Sequence, residues 1–256
     1  MLSITNEEKD YRKYSFPYFT ARNCISLIIK NFNIKEIYIP YYTCPVVWQM
    51  IQKENCKIKF YHIDKNFFPT VDFSQNDYIL YTNYFGINSL NVKKMADNYK
   101  NLIVDNAQAA YMYPVGIASF NSLRKFFNLE KGSVLHIQKS FINCEGVNDI
   151  ELTETEVVYD KSLRLSNLDV FNKLFSSANM LKLNLSSDDI PLYYPYLCID
   201  NSIEKSLLKE KIEYEKLWNI LPQNSQEGLF SRNLLLFPMK KEYDVEKIQL
   251  LESILR

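Results

Sequence analysis

Histidine, glycine and cysteine are all scarce in this chain of 256 residues, and each shortage excludes something. With only His62 and His136, a histidine-rich metal site or a Ser-His-Asp triad is poorly supplied; both lie in strand candidates and read as structural. The five glycines leave few turns that need a backbone without Cβ, so those present mark demanding ones. Cys24, Cys44, Cys56, Cys144 and Cys198 are odd in number and widely spaced, with no C-x-x-C pair, which excludes a disulfide framework and a zinc ribbon. Charge of one sign is lacking too. The 30 Lys+Arg balance 30 Asp+Glu, whereas nucleic-acid and polybasic membrane partners call for a basic excess. Apolar runs such as Ile25 to Ile29 are far too short to span a bilayer. The charged, tyrosine-rich start from Met1 to Phe16 is unlike a signal peptide. These absences predict a soluble, cytoplasmic protein.

Core material is plentiful. The chain is 47% hydrophobic and 14% aromatic, which excludes a disordered polymer, and its length allows one large domain or a domain with a small second lobe. Strand and helix signals alternate through the first half. Thr20 is placed to cap a helix from Ala21 to about Asn31, in which Cys24, Leu27, Ile28 and Phe32 fall at helical spacing. Glu36–Ile39 reads as a strand stopping at Pro40; Thr43 then offers a cap, and Pro45 suits the first turn of a helix through Lys53. Further strands are expected at Lys57–Ile63, Tyr78–Asn83, Asn101–Val104, Ile117–Phe120 and Val134–Ile137, with a helix at Val92–Lys100. Such alternation predicts an α/β layer with a largely parallel sheet.

Residues 151–191 break this pattern, being polar and without clean periodicity, with a helix expected only over Val170–Leu183. A second unit begins near Leu192: a strand at Tyr193–Ile199, a capping box from Asn201 and Glu204, and a stripe of Ile203, Leu207, Leu208, Ile212 and Leu217. A strand at Asn233–Phe237 and a helix capped by Asp244 and running to Leu255 complete it. The expected organisation is a large domain over 1–150, a connecting segment over 151–191 and a small C-terminal α+β lobe over 192–256.

Three short runs carry candidate chemistry. In Asn101–Ala110 an apolar strand ends on Asp105, with Gln108 three residues later; ligands of open α/β sheets sit outside the carboxyl ends of strands. After the next short strand Ser122 and Lys125 lie three apart, and Thr20–Cys24 opens a helix whose free amides suit a phosphate. Taken singly, a strand-ending Asp more often caps a turn, and a lysine before Phe126-Phe127 is more often a solvated neighbour of the core. Lys131, in a Lys-Gly turn, reads as solvated.

Together, and in this order, the runs resemble the sugar aminotransferases of the DegT/DnrJ/EryC1/StrS type, fold-type-I enzymes that use pyridoxal 5'-phosphate (PLP). Asp105-Asn106-Ala107-Gln108-Ala109 matches the family's acid-x-x-Gln-Ala run, and Lys125 its Schiff-base lysine after a Ser/Phe strand. Ala21-Arg22-Asn23 matches the small-residue helix start, although relatives more often read Ser-Gly-Thr. Ile39–Thr43 is similar to the loop over the cofactor, Tyr81–Gly86 to a His-x-Tyr-Gly segment, and Leu236–Met239 with Tyr243–Lys247 to the closing strand and helix. The chain is shorter than most relatives, the deficit falling between Val147 and Leu192.

The resemblance implies a PLP-dependent transferase-like large domain with a mostly parallel sheet. It implies that Asp105 pairs with the ring nitrogen, Gln108 lies against the ring, Lys125 is the catalytic amine, and Ser122 with the amides of Arg22 and Asn23 holds the phosphate. Cys44 stands where relatives carry an aromatic stacking residue, so stacking is assigned to Tyr42. The implied activity is transamination of a keto-sugar nucleotide, with glutamate as donor, in surface-polysaccharide biosynthesis by a homodimer. The alternative is an inactive or PLP-free relative serving as a binding or assembly subunit. Dehydration, a third PLP reaction of such enzymes, normally accompanies loss of the lysine that this chain keeps.

Overall fold

The computed structural model describes residues 15–18, 20–130, 132–137, 152–219, 221 and 224–255. Met1–Tyr14, Lys131, Cys144, Val147 and Glu151 lie outside the described residues. Among the described residues no helix is long and apolar enough to cross a membrane, and no cluster of His, Cys, Asp and Glu suits a metal ion.

The larger sheet has seven strands: β1 (Ser15–Tyr18), β2 (Glu36–Pro40), β3 (Lys57–Tyr61), β4 (Ile79–Thr82), β5 (Leu102–Asn106), β6 (Ala118–Asn121) and β7 (Ser133–Ile137). Their order is β1-β7-β6-β5-β4-β2-β3. β2 to β6 run parallel, while β7 is antiparallel to both β6 and β1. The central β5 is buried at every position, which is why Leu102-Ile103-Val104 reads as an unbroken apolar run. Of these strands only the short β1 was not anticipated.

Helices cover the sheet. α1 (Ala21–Asn31) buries Cys24, Ile25, Ile28 and Ile29, spaced to face one side, and packs on β6, β7 and the neighbouring α2 (Pro45–Lys53). Thr20 does stand at the N-cap, but its hydroxyl donates to Asn23 Oδ1 at 2.7 Å instead of capping an amide. At α2 the N-cap is Cys44, one residue beyond the expected Thr43, whose hydroxyl faces Thr82 at 3.4 Å. α3 (Ser89–Asn98) starts three residues before expectation, its Ser89 amide donating to Asp189 at 3.0 Å. One face of the sheet carries the aliphatic α1 and α2 core; the other carries an aromatic core built from Tyr42, Tyr61, Phe67, Tyr81, Tyr84, Phe85 and Phe230.

The C-terminal unit is a two-stranded antiparallel sheet of β8 (Tyr193–Leu197) and β9 (Leu234–Pro238) with four helices: α4 (Glu154–Phe175), α5 (Asn201–Lys209), α6 (Gln226–Asn233) and α7 (Val245–Leu255). The fold is thus α/β, a mostly parallel sheet with a small C-terminal α+β unit. α4 corrects the expectation for the connecting segment. It is a continuous 22-residue helix opened by a Thr153/Glu156 capping box, and it ends at Phe175. Its buried stripe, Arg164, Asn167, Leu168, Phe171 and Phe175, has regular helical spacing; two polar members hid it from hydrophobic periodicity. The expected capping box at Asn201 also fails. Asp200 is the N-cap, and Glu204 instead accepts from Tyr214 and Lys216. Ile212 and Leu217 fall beyond the helix, and Asn233 closes the unanticipated α6.

A short 3-10 turn at Tyr84–Gly86 joins the two units. The Leu192 amide donates to the Phe85 carbonyl at 2.7 Å, and the Met239 amide to the Leu192 carbonyl at 3.0 Å. Gly86 makes this approach possible. Its φ is +76°, and a Cβ there would stand 2.4 Å from the Ile190 carbonyl oxygen and 2.7 Å from that of Gln108.

Candidate functional site

β4, β5 and β6 lie side by side and parallel, and α1 packs on β6. Asp105 is the penultimate residue of β5, in register with Thr82 on β4 and Phe120 on β6. It is buried, and one carboxylate oxygen accepts from the Ala107 amide at 2.8 Å. Burial raises its pKa; the Ala107 hydrogen bond and the positive charge of Lys125 oppose that rise. Asn106 Oδ1 at the strand end accepts from the Asn83 side-chain Nδ2 at 3.0 Å, and the Asn83 backbone amide donates to the Asp105 carbonyl at 3.0 Å, fixing the ends of β4 and β5 together.

Lys125 is reached through a 3-10 turn, Leu123–Lys125, that follows β6 directly. Ser122 precedes this turn, is buried, and its carbonyl accepts from the Lys125 amide at 3.1 Å. The lysine is half-buried, and desolvation lowers its pKa. Asp105, Cys44 and Glu215 pull it back up, whereas Arg124 pushes it further down. Asp105 and Lys125 therefore sense each other's charge, yet they form no ion pair among the described residues.

The α1 terminus is tied to the same place. The buried Cys24 thiol lies 3.4 Å from Ser133 Oγ, which donates to the Asn121 carbonyl at the end of β6. Burial, with a smaller contribution from Asp105, pushes this thiol up to about 12. Arg22 and Asn23 are exposed in the first turn. The Asn23 amide donates to the Thr20 carbonyl at 3.0 Å, so it is already engaged and leaves the helix start with fewer free donors than expected.

Gln108 is buried, and its Oε1 accepts from the Phe85 amide at 2.7 Å, holding the Tyr84–Gly86 turn. Tyr42 stands apart from this cluster. It is fully buried against Tyr84, Trp218 and Phe230, with ring centroids 5.7, 4.5 and 5.7 Å away. Two residues further along the loop, Cys44 is among the groups that act on Lys125. Glu215, exposed and hydrogen-bonded by Tyr193 at 2.8 Å, also acts on Lys125 and was not anticipated. No local pattern announces it, because its place depends on a bridge to Leu236 on β9. A cavity of about 320 Å³ beside Phe67, Phe85 and Lys94 contains neither Asp105 nor Lys125.

No family model matches the sequence, and no curated protein matches it. Solved structures do match in fold. CalS13, a sugar aminotransferase from Micromonospora echinospora, is similar at a TM-score of 0.71 and 9% identity, over 94% of this chain and 86% of that one. PseC from Helicobacter pylori, an aminotransferase involved in the biosynthesis of pseudoaminic acid, is similar at 0.66 and 13% identity, over 94% and 85%. The E. coli GDP-4-keto-6-deoxy-D-mannose-3-dehydratase, solved with bound hydrated PLP, is similar at 0.69 and 13% identity, over 98% and 90%. The chain has the fold of the PLP-dependent sugar aminotransferases. In this fold the chain carries an acid near the end of the central strand and a lysine after the next strand, at sequence identities low enough that the likeness speaks for architecture alone.

Proposed function

We propose that this protein is a PLP-dependent aminotransferase acting on a keto-sugar nucleotide, with glutamate as the amino donor. The observation that carries this is the Asp105/Lys125 pair, a buried carboxylate and a desolvated amine at neighbouring strand ends, each shifting the other without contact. Groups whose charges are held out of water in a shared cleft are candidates for chemistry. The donor set fits the cofactor. Asp105 has one amide donor and no cation within ion-pair distance among the described residues, so a protonated ring nitrogen would supply the partner it lacks.

Bound there, PLP would supply an electron sink for the carbanion left when an amine loses its Cα proton. Asp105 would hold the ring nitrogen, and Lys125, with its amine freed by desolvation, would take and return that proton at Nζ. Ser122 and the Arg22 amide would hold the phosphate at the α1 terminus, with the Asn23 amide spent on Thr20. Tyr42, to which the resemblance assigns ring stacking, packs into the aromatic core, and Cys44 on the same loop acts on Lys125. Retention of Lys125 favours transamination over dehydration.

The remaining parts of this reading are a large domain over 1–150, a connector over 151–191 whose α4 packs on a small lobe over 192–256, and a cytoplasmic homodimer serving surface-polysaccharide biosynthesis. The decisive experiment is addition of PLP to the purified protein. A visible absorption band that bleaches with glutamate, and one pyridoxyl group fixed on Lys125 by borohydride, are the expected results. Label found only on solvated lysines such as Lys94, and unchanged in Lys125→Ala, would replace the enzyme by a binding subunit. Sedimentation at micromolar concentration tests the dimer, and a monomer with bound PLP would remove it.

A further inference from the structure

Behind the Lys125 turn the protein buries an arginine. Arg164, midway along α4, has no exposed surface. Its Nε donates to Asp160 Oδ2 at 2.7 Å, one turn earlier on the same helix. One terminal nitrogen donates to the Pro191 carbonyl at 3.0 Å and the other reaches the Phe126 carbonyl at 3.4 Å. The guanidinium carbon lies 4.5 Å from the centroid of the Phe126 ring. Asp160 receives a second donor, the Tyr111 hydroxyl, at 2.6 Å, and the Tyr111 ring stands edge-on to Phe126 at 5.7 Å. Two segments distant in sequence thus meet on the Arg164 side chain, the residue following Lys125 and the one leading into β8, and the loop after β5 joins them through Asp160.

Burying a guanidinium is expensive, and an apolar side chain of similar volume would pack as well. What the apolar group lacks is a rigid planar fork that fixes two carbonyls and a carboxylate at once. Both carbonyls border the candidate site. Phe126 follows Lys125 in the chain. Pro191 stands two residues before Tyr193, whose hydroxyl holds Glu215, one of the anions acting on Lys125.

We infer that Arg164 is a positioning residue for Lys125, its fork pinning the Phe126 carbonyl so that the Leu123–Lys125 turn keeps the amine in its half-buried place. Asp160 and Tyr111 orient the fork. The inference rests on Lys125 being the reactive amine of the proposed enzyme, but its test needs no cofactor. The PLP-free protein is acylated with a trace of acetic anhydride across a pH series, and the midpoint of Lys125 is read by peptide mass spectrometry against exposed Lys94. Arg164→Lys keeps a cation beside Asp160 and loses the fork, so the Lys125 midpoint rises toward that of Lys94. Cys24, buried in the same wall, stays unreactive to a thiol reagent, which separates a displaced turn from a general loosening. Tyr111→Phe, which deletes one hydroxyl, gives a smaller rise in the same direction and decides the matter if Arg164→Lys does not fold.

An unchanged Lys125 midpoint in either folded variant, or a rise matched by newly reactive Cys24, overturns the role. The two ideas fail separately. A midpoint that moves in Arg164→Lys, in a protein whose Lys125 takes no PLP, keeps the positioning role and removes the cofactor. A midpoint that stays, with PLP on Lys125, does the reverse.

Discussion

Asp105 and Lys125 stand at the ends of neighbouring strands, and the fold works against the charge of both. Burial raises the carboxyl pKa and lowers that of the amine, while each charge partly relieves the other from a distance. A direct ion pair would have cancelled both effects and left an inert bridge. Holding them apart leaves an amine that deprotonates below the ordinary lysine range and an acid with one amide donor but no ion pair among the described residues.

The charges around Lys125 give three signs to check. Asp105 and Glu215 raise its pKa and Arg124 lowers it. Glu215→Gln and Asp105→Asn should each move the acylation midpoint of Lys125 down, and Arg124→Met should move it up. Because the folded-state value lies below the unfolded one, the unfolded chain holds this proton more tightly, and stability rises with pH across the window between them. A Glu215→Gln midpoint that rises would mean that Glu215 does not face the amine.

Asp105→Asn should separate stability from activity. The amide oxygen can still accept from Ala107, and the variant no longer buries a carboxylate whose charged form the fold disfavours. Without cofactor, its melting temperature at pH 7 should equal or exceed that of the parent. PLP should still bind, while the half-reaction with glutamate slows by about two orders of magnitude or more, the scale of losing one fixed electrostatic partner. Wild-type rates in a single-turnover assay would show that another group holds the ring nitrogen.

Much of this site is visible in the sequence because its parts are local. Asp105 ends an apolar strand, and Ser122 and Lys125 follow the next one, so strand recognition alone brings them to one sheet edge. What stays hidden depends on distant chain. Glu215 is placed by its bridge to Leu236, and Cys44 stands at the α2 N-cap one residue after the expected Thr43. Tyr42 shares its loop with Cys44 but turns into the aromatic core, a choice set by Tyr84, Trp218 and Phe230. α4 escapes for a related reason: Arg164 and Asn167 occupy its buried stripe, and their partners, Pro191, Phe126, Met239 and Lys241, lie elsewhere in the chain.

Acid sensitivity should trace in part to His136 on β7. Burial lowers its pKa from 6.5 to about 4, so the unfolded chain takes up a proton that the folded one refuses. Stability is full above pH 6.5 and is lost as pH falls toward 4, by roughly 3 kcal/mol at most. His136→Phe should flatten the melting curve over that interval. An unaltered acid slope in differential scanning calorimetry would assign the loss to other groups.

The joint between the two units should be the least tolerant position of all. Gly86 adopts φ of +76° inside the turn that Gln108 holds from one side and Leu192 from the other. Alanine there suffers twice, through a left-handed backbone and through a methyl 2.4 Å from the Ile190 carbonyl oxygen, which is backbone and cannot swing away. The strain alone is worth about 1–3 kcal/mol, and relieving the clash means moving Ile190 and with it the Leu192 amide on the Phe85 carbonyl. Gly86→Ala should therefore lower the urea midpoint by more than the backbone strain accounts for. It should also raise hydrogen exchange at Leu192 and Met239, whose amides run in series from the turn to β9. Alanine at Gly116, which has a similar positive φ but whose Cβ would meet Leu102 of β5, should destabilise without exposing those two amides. Equal exchange at Leu192 in both variants would mean that the turn does not carry the joint.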